Sequence, residues 1–569
     1  MLQEPQGRRE RRIFKAGTTR MLVVYLFLFG CAAFLFSRLW WIQVLHPERL
    51  IAEGNARVMR SYQFEPPRGL ITDRFGKILA ISVPVKTVDA DPKLLRDSGV
   101  YQDEARMQKI ASLLGIGFTE LKDKLSDPDR RFVHLKRYFS EKDAPALKAA
   151  GGEGLLLHDS YMRTYPTGAE NAPLVGILNS EGVGVYGIEQ SFNRYLTSSA
   201  SSRMANKDRY DRIIENLKVV RSGYAGGNLM LSIDGRLQSY AYERLSEALK
   251  ENDADSATLV LTDVRTGEIL SMVSCPSFDP NNRSSFDSAN ARDRAVTDIF
   301  EPGSTIKPIV ALAALENRTA GWSIVYDTRP FKVDGKLVRD SHAMESGTLS
   351  DIIKYSSNTG MAHISLETGP KKSVEMLRRF GFGSRTESGI IGENDGRLND
   401  QRRFWSDIDI ATLGFGYGIA VTNLQLASAY ATLASGGARR PVSILRLSKP
   451  PKATQAANAT EVARMQKALE TVVAEGTGGK AAISRYRVGG KTGTAKIAVA
   501  GGYGNSYIGT FAGFAPLSDP RFALVVVMKN PKAGKFYGGL VSGPVFRDVM
   551  SRALQLYNVP PDRTLDEKN

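Results

Sequence analysis

The chain has 569 residues, 42% of them hydrophobic and 24% charged. It is too long for one hydrophobic core and too apolar for a disordered chain, so two or three folded domains are expected. The formal charge of +16 raises a nucleic-acid reading, but the basic residues are scattered apart from one N-terminal cluster, and no zinc spacing or RNA-binding aromatic signature accompanies them. A basic surface facing an anionic polymer or a membrane fits better, with no nucleic-acid partner.

Residues 1–20 are polar and basic, with Arg8, Arg9, Arg11, Arg12, Lys15 and Arg20 set against Glu4 and Glu10. Residues 21–37 are uncharged and strongly apolar; Arg38 interrupts, and the apolar run resumes from Leu39 to Leu45. The length predicts one membrane-spanning helix over 21–45, with Arg38 snorkelling and Trp40 and Trp41 in the interface. The basic flank puts 1–20 in the cytoplasm and everything after about residue 45 in the periplasm of a two-membrane cell. A cleaved signal peptide is the rival, but the segment is long and lacks a small-x-small cleavage site. Leu28-Phe29-Gly30-Cys31 loosely resembles a lipoprotein cleavage box, yet the apolar run continues past the cysteine. With Cys31 in that run, Cys275 has no partner in the soluble part, and no internal disulfide is expected there.

Residues 46–225 read as a non-catalytic module. Stretch 68–80 alternates around Phe75-Gly76 like two strands joined by a turn. Residues 101–150 are charged and read as helical; Arg163-Thr164-Tyr165-Pro166-Thr167-Gly168 and Gly184-Val185-Tyr186-Gly187-Ile188-Glu189 follow. No nucleophile-and-base arrangement is visible in this region.

The third region runs from Gly226 to residue 558. Residues 228–233 alternate like a strand, and Asp234 caps a helix carrying Leu237, Ala241, Leu245 and Leu249. Strands over 257–263 and 269–274 flank the hairpin signal Arg265-Thr266-Gly267-Glu268. Further strands are expected over 486–495, 506–514 and 521–529, the first pair turned by Gly501-Gly502-Tyr503-Gly504-Asn505. A closing helix covers 544–557. Hairpin strands at both ends with helices between them imply an α+β fold, an antiparallel sheet covered by helices. Residues 559–569 read as a polar, frayed tail.

The chemistry centres on Phe300-Glu301-Pro302-Gly303-Ser304-Thr305-Ile306-Lys307-Pro308, a loop opening into an apolar helix. Helical spacing puts Lys307 on the face of Ser304. A serine at a helix N-terminus with a partly desolvated amine one turn away is a plausible activated nucleophile. Alone, Ser-x-x-Lys is a weak signal, and a capped helix with a solvated lysine explains it as well. Two more motifs change the balance: Ser356-Ser357-Asn358 after an apolar stretch, and Lys491-Thr492-Gly493-Thr494 on a late strand. In this order the three are the set of penicillin-binding proteins and class A β-lactamases.

Each motif residue has an expected role. Ser304 attacks an amide carbonyl and is acylated, with Lys307 as base and Lys491 supplying a second cation that depresses its pKa. Ser356 passes a proton to the leaving amine, and Asn358 holds the substrate amide and Lys307. Thr492 and Thr494 offer hydroxyls, and Lys491 a charge, to a substrate carboxylate, while Gly493 keeps the strand edge open for a peptide. The backbone N–H groups of Ser304 and Thr494 form the oxyanion hole. No metal or cofactor is implied. The five histidines, 46, 134, 158, 342 and 363, make no metal spacing. A phosphate loop ending at Gly490-Lys491-Thr492 fails because Arg485 stands at its first glycine.

Nearly the whole chain resembles the class B penicillin-binding proteins, and among them the division-specific D,D-transpeptidases. The likeness extends beyond the three motifs to the anchor, the stretch 68–80, Trp405-Ser406-Asp407, Gly414-Phe415-Gly416-Tyr417-Gly418, Val421-Thr422-Asn423-Leu424-Gln425-Leu426-Ala427, and Tyr537-Gly538-Gly539 with Gly543-Pro544-Val545-Phe546. It implies a pedestal over 46–225 and a penicillin-binding transpeptidase domain over 226–558. The implied substrates are peptidoglycan stem peptides ending in D-Ala-D-Ala, with β-lactams acylating Ser304 in their place. The implied partners are a SEDS-type division glycosyltransferase and other septal membrane proteins. One departure is Ala172-Pro173-Leu174-Val175-Gly176, with proline where the family pattern leads one to expect histidine. The rivals are a D,D-carboxypeptidase or β-lactamase using water as acceptor, and a penicillin-binding scaffold without catalysis.

Overall fold

The computed structural model describes residues 9–64, 66–207, 213–499 and 502–563. Residues 1–8, with Arg8 of the basic flank, the turn residue Gly501 and the tail residues 564–569 lie outside them. The chain divides into two compact units, Met1–Pro66 with Ser199–Tyr224, and Pro67–Ser198 with Ala225–Asn569.

In the first unit a single helix runs Arg9–Trp40 and ends in a wider turn, Trp41–Leu45. Its stretch Gly17–Leu45 is long and apolar enough to cross a membrane, and none of it is buried by protein. The Arg38 guanidinium lies 4.6 Å from the Trp41 ring centre, a cation–π contact at the polar end of the apolar run. A three-stranded antiparallel sheet completes this unit, with Ser201–Lys207 between Met59–Phe64 and Ile213–Arg221.

The second unit begins with a sheet built on the long strand Ile78–Ala90, which pairs with Ile71–Thr72, Val133–Phe139 and Leu155–Thr164. The turn expected at Phe75-Gly76 is present, with Gly76 at φ +86°. Strand Val133–Phe139 corrects the helical reading of 101–150. Helices Glu104–Leu114, Phe118–Lys124 and Ala144–Gly151 surround it; its short alternation, Val133 and Leu135 buried and His134 exposed, is swamped by charged neighbours. Arg68 and Arg163 each donate Nε–H to one oxygen of the fully buried Glu189, both at 2.7 Å. Pro173 is the second residue of the short helix Ala172–Val175, in the first turn, where its missing N–H costs no intrahelical bond.

Residues 228–233, expected as a strand, form one over Leu229–Met230, in parallel with Ile71–Thr72, and Leu231 makes an isolated antiparallel bridge with Leu445. Asp234 then caps helix α1 (Gly235–Glu251), its side chain accepting from Arg236 N–H. Strands β1 (Ser256–Asp263) and β2 (Ile269–Cys275) form the first hairpin. Helices α2 (Lys307–Glu316), α3 (Asn358–Thr368), α4 (Asn423–Ala434) and α5 (Ala459–Ala474) follow. Strands β3 (Gly489–Val499), β4 (Gly502–Ala515) and β5 (Phe522–Lys529) precede the closing helix α6 (Gly543–Leu556). The β3–β4 turn is tighter than read: Val499 pairs with Gly502, so Tyr503-Gly504-Asn505 belongs to β4.

The sheet is antiparallel throughout, in the order β2-β1-β5-β4-β3, with β5 beside β1 joining the two ends of the domain. Both faces are buried. Leu259, Leu261, Leu524 and Val526 share one core with Ala241 and Leu245 of α1 and with Phe546 and Met550 of α6. Val260, Val525 and Val527 instead share the core of α2, α4 and α5. The alternation follows from the two-residue period of a strand. Helix α2 is apolar almost all round and accordingly buried from Lys307 through Ala314, as expected of a helix enclosed on every side.

Candidate active site

Ser304 sits in one 3₁₀ turn, Gly303–Ile306, that runs directly into α2, whose first residue is Lys307. Two features hold this turn. Tyr430, buried within α4, donates its hydroxyl to the Thr305 carbonyl at 2.8 Å. Gly416, at φ +90°, lets its loop close on the turn: a Cβ there would fall 2.1 Å from the Gly303 carbonyl oxygen.

Lys307 is fully buried. Its amine donates to the Ser356 carbonyl at 2.6 Å and to Asn358 Oδ1 at 2.9 Å, with Ser356 Oγ at 3.3 Å. Burial, then the charge of Lys491, pushes its pKa well below the ordinary lysine value, against an opposing pull from Asp340. A neutral amine has two N–H groups, which the Ser356 and Asn358 oxygens take, and one lone pair left to accept a proton.

The corner that presents Ser356 is strained. Ser356 adopts φ +62°, a left-handed conformation costing a non-glycine residue on the order of 1–3 kcal/mol. That conformation turns its carbonyl onto Lys307. Ser357 caps α3, its Oγ accepting from Gly360 N–H at 3.0 Å.

Strand β3 forms the free edge of the sheet among the described residues. Lys491 is fully buried, and burial pushes its pKa down to about 7. Gly493 has a packing role beside the expected open edge: a Cβ there would lie 2.9 Å from Thr305 Cγ2 and 3.0 Å from the Pro302 carbonyl oxygen. Glycine is therefore what lets β3 close on the nucleophile turn. By strand alternation Thr492 and Thr494 take the other face. Thr492 Oγ1 lies 2.8 Å from Thr477 Oγ1, and Thr494 Oγ1 accepts from Gly538 N–H at 3.1 Å. Accepting there leaves the Thr494 O–H free to donate.

The structure thus brings Ser304, Lys307, Ser356 and Asn358 to one corner, beside an edge strand carrying Lys491, Thr492, Gly493 and Thr494. Tyr430 and Asp340 are the supports that sequence reading missed. Tyr430 reads as one more core residue of an apolar helix, and Asp340 belongs to no motif spacing. Among the described residues no group of three or more His, Cys, Asp or Glu side chains is placed to hold a metal ion.

A serine one turn ahead of a buried lysine, beside the edge strand of an antiparallel sheet covered by helices, is the arrangement expected of a penicillin-binding serine acyltransferase. Comparison with known proteins agrees. Residues 257–551 match the penicillin-binding protein transpeptidase domain, and 63–231 the penicillin-binding protein dimerisation domain. The chain is 40% identical to the peptidoglycan D,D-transpeptidase FtsI of Escherichia coli over 96% of its own length and 94% of the relative's. It is 33% identical to the probable peptidoglycan D,D-transpeptidase PenA of Neisseria gonorrhoeae, covering 96% and 93%. Among solved structures, penicillin-binding protein 3 of Mycobacterium tuberculosis complexed with aztreonam has the same fold, with a TM-score of 0.67 at 23% identity over 89% of this chain and 99% of that one. The transpeptidase domain of penicillin-binding protein 3 from Burkholderia pseudomallei superposes with a TM-score of 0.54 at 34% identity, covering 59% and 98%. The chain belongs to the class B penicillin-binding proteins.

Proposed function

We propose that the protein is a peptidoglycan D,D-transpeptidase that cross-links stem peptides at the division septum. The observation that carries this is the fully buried Lys307 amine, hydrogen-bonded to Ser356 and Asn358 one turn after Ser304. In the acylation step neutral Lys307 takes the Ser304 hydroxyl proton as Oγ bonds to the carbonyl carbon of the penultimate D-Ala. The Ser304 and Thr494 backbone N–H groups receive the oxyanion. As the C–N bond breaks, Ser356 relays a proton to the departing D-Ala amine. An amine of a neighbouring stem then attacks the ester, returning the proton to Ser304 and closing the cross-link. The hydroxyls of Thr492 and Thr494 hold the substrate carboxylate, with the buried Lys491 supplying its charge from the opposite face of β3, and Asn358 holds the substrate amide. β-Lactams acylate Ser304 in place of the stem peptide.

We assign 1–20 to the cytoplasm, 21–45 to a single inner-membrane span, 46–225 to a periplasmic pedestal, 226–558 to the transpeptidase domain and 559–569 to a tail. The basic flank before the span supports that orientation. The division glycosyltransferase of the SEDS type and other septal membrane proteins are the partners this arrangement suits. The test supplies purified full-length protein with a donor stem peptide ending in D-Ala-D-Ala and an amine acceptor. Cross-linked product together with one released D-Ala is expected. Release of D-Ala with hydrolysed donor alone would make the protein a carboxypeptidase, and no release a scaffold.

A further inference from the structure

Asp340 lies 17 residues before Ser357, just beyond the small hairpin of Phe331–Val333 and Lys336–Val338. Its carboxylate takes four hydrogen bonds from the start of α3. Oδ1 accepts from the N–H groups of Asn358 at 2.5 Å and Thr359 at 2.9 Å, and Oδ2 from the hydroxyls of Ser357 at 2.5 Å and Thr359 at 2.9 Å. The two N–H groups are donors that a helix start leaves unsatisfied, held by an anion at the positive end of the helix. The same turn carries the strained Ser356 and the Asn358 amide that face Lys307.

We propose that Asp340 is a positioning residue for acylation: by clamping the first turn of α3 it holds Ser356 in its left-handed conformation, keeps the Ser356 carbonyl and Asn358 amide on Lys307, and sets a fixed negative charge behind that corner. The proposal rests on the acyl-serine reading above. Two charged groups bear on Lys307. Lys491, from β3, drives it toward the neutral amine, and Asp340 draws it back toward the ammonium. Ser356 and Asn358, which contact it directly, are neutral. Of the other ionisable groups on adjoining segments, Arg339 accepts through its carbonyl from Asn358 Nδ2, Lys354 pairs with Glu475, and His342 stacks on Tyr355. Glu301, ahead of the nucleophile turn, accepts from Gly418 N–H. Asp340 thus has two effects on the base: it orients its partners and opposes its deprotonation.

The two effects separate in a pH profile. Full-length protein in detergent is acylated with a fluorescent penicillin from pH 5 to 9, as wild type, Asp340→Asn and Asp340→Glu. Acylation needs neutral Lys307, so its rate rises with pH through the lysine pKa. Lys491, its pKa pushed down to about 7, titrates in the same range in every variant, so the readout is the displacement of each variant's limb from the wild-type limb. Asp340→Asn keeps the shape but removes the charge that favours the ammonium, so the rising limb moves to lower pH, by about 0.5 unit or more. Its plateau falls roughly tenfold as the clamp loosens. Asp340→Glu keeps the charge and shifts it by one methylene, so the plateau falls while the limb stays at its wild-type pH. A folded Asp340→Asn with the wild-type limb overturns the proposal. If that variant unfolds, Asp340→Glu decides: a wild-type plateau overturns it. Failure of wild type to label, or labelling of Ser304→Ala, would instead overturn the acyl-serine reading itself.

Discussion

At the scale of single residues, the site depends on atoms that are absent as much as on those present. Gly493 lets β3 approach the nucleophile turn to a distance no side chain would allow. Gly493→Ala forces the strand away from Thr305 and Pro302. A displacement of about 1 Å at a reacting group costs on the order of 10²-fold in rate, so penicillin acylation of this variant is expected to fall by about that factor. Stopped-flow labelling of a variant with a native circular dichroism spectrum checks it; a wild-type rate would show that the approach does not matter. Ser304, Lys307 and Ser356 stand out as motif letters because the chemistry proposed for them dictates their types. Asp340 and Tyr430 were not readable, since a carboxylate or a phenol can reach a corner from any segment the fold happens to bring there. Ser356 shows the same limit, for no letter announces a left-handed serine.

At the scale of elements, the strands of the central sheet were legible because β-branched and apolar runs between turn signals have few other fates. Their order was not. The hairpin of β1 and β2 meets the late strands through β5, with Thr262 Oγ1 donating to the Ala523 carbonyl across 261 residues of sequence. Strand Val133–Phe139 is masked in the sequence by charged helical neighbours, and the glycines that signal the β3–β4 turn extend into β4, past the turn itself. One element junction carries a pH prediction. Asp293 caps the short helix Arg294–Thr297 and accepts from Ser274 Oγ at 2.8 Å and Ala295 N–H at 3.1 Å. Its Oδ2 is buried without a hydrogen-bond partner, and burial raises its pKa to about 6. A carboxyl whose folded pKa is raised stabilises the fold fully below the unfolded value near 4, and that contribution is lost as the pH rises through about 6. Asp293→Asn retains a cap without the buried charge. It is expected to be more stable than wild type at pH 7.5, by on the order of 1–3 kcal/mol, with the gap closing toward pH 5. Urea unfolding at both values checks the sign; a less stable variant at pH 7.5 contradicts it.

At the scale of the whole molecule, an apolar helix with no protein packed on it lies near the N-terminus, and a buried acylation corner occupies the largest domain. Hydropathy made the first legible, and three spaced motifs the second; the sheet between Met59–Phe64 and Ile213–Arg221 had no comparable signal. Deleting residues 1–45 is expected to release the protein from detergent dependence while leaving penicillin acylation within about twofold, because the exposed apolar helix supplies membrane affinity. Sedimentation with and without detergent, alongside labelling, tests this, and a truncated protein that still requires detergent would contradict it. The central claim is that Ser304 is the acylated nucleophile. The most direct measurement incubates full-length wild type and Ser304→Ala with fluorescent penicillin and follows the bound label for hours. Stable labelling of the wild type and none of the variant is the predicted result; equal labelling of both, or no labelling of a folded wild type, would contradict the account.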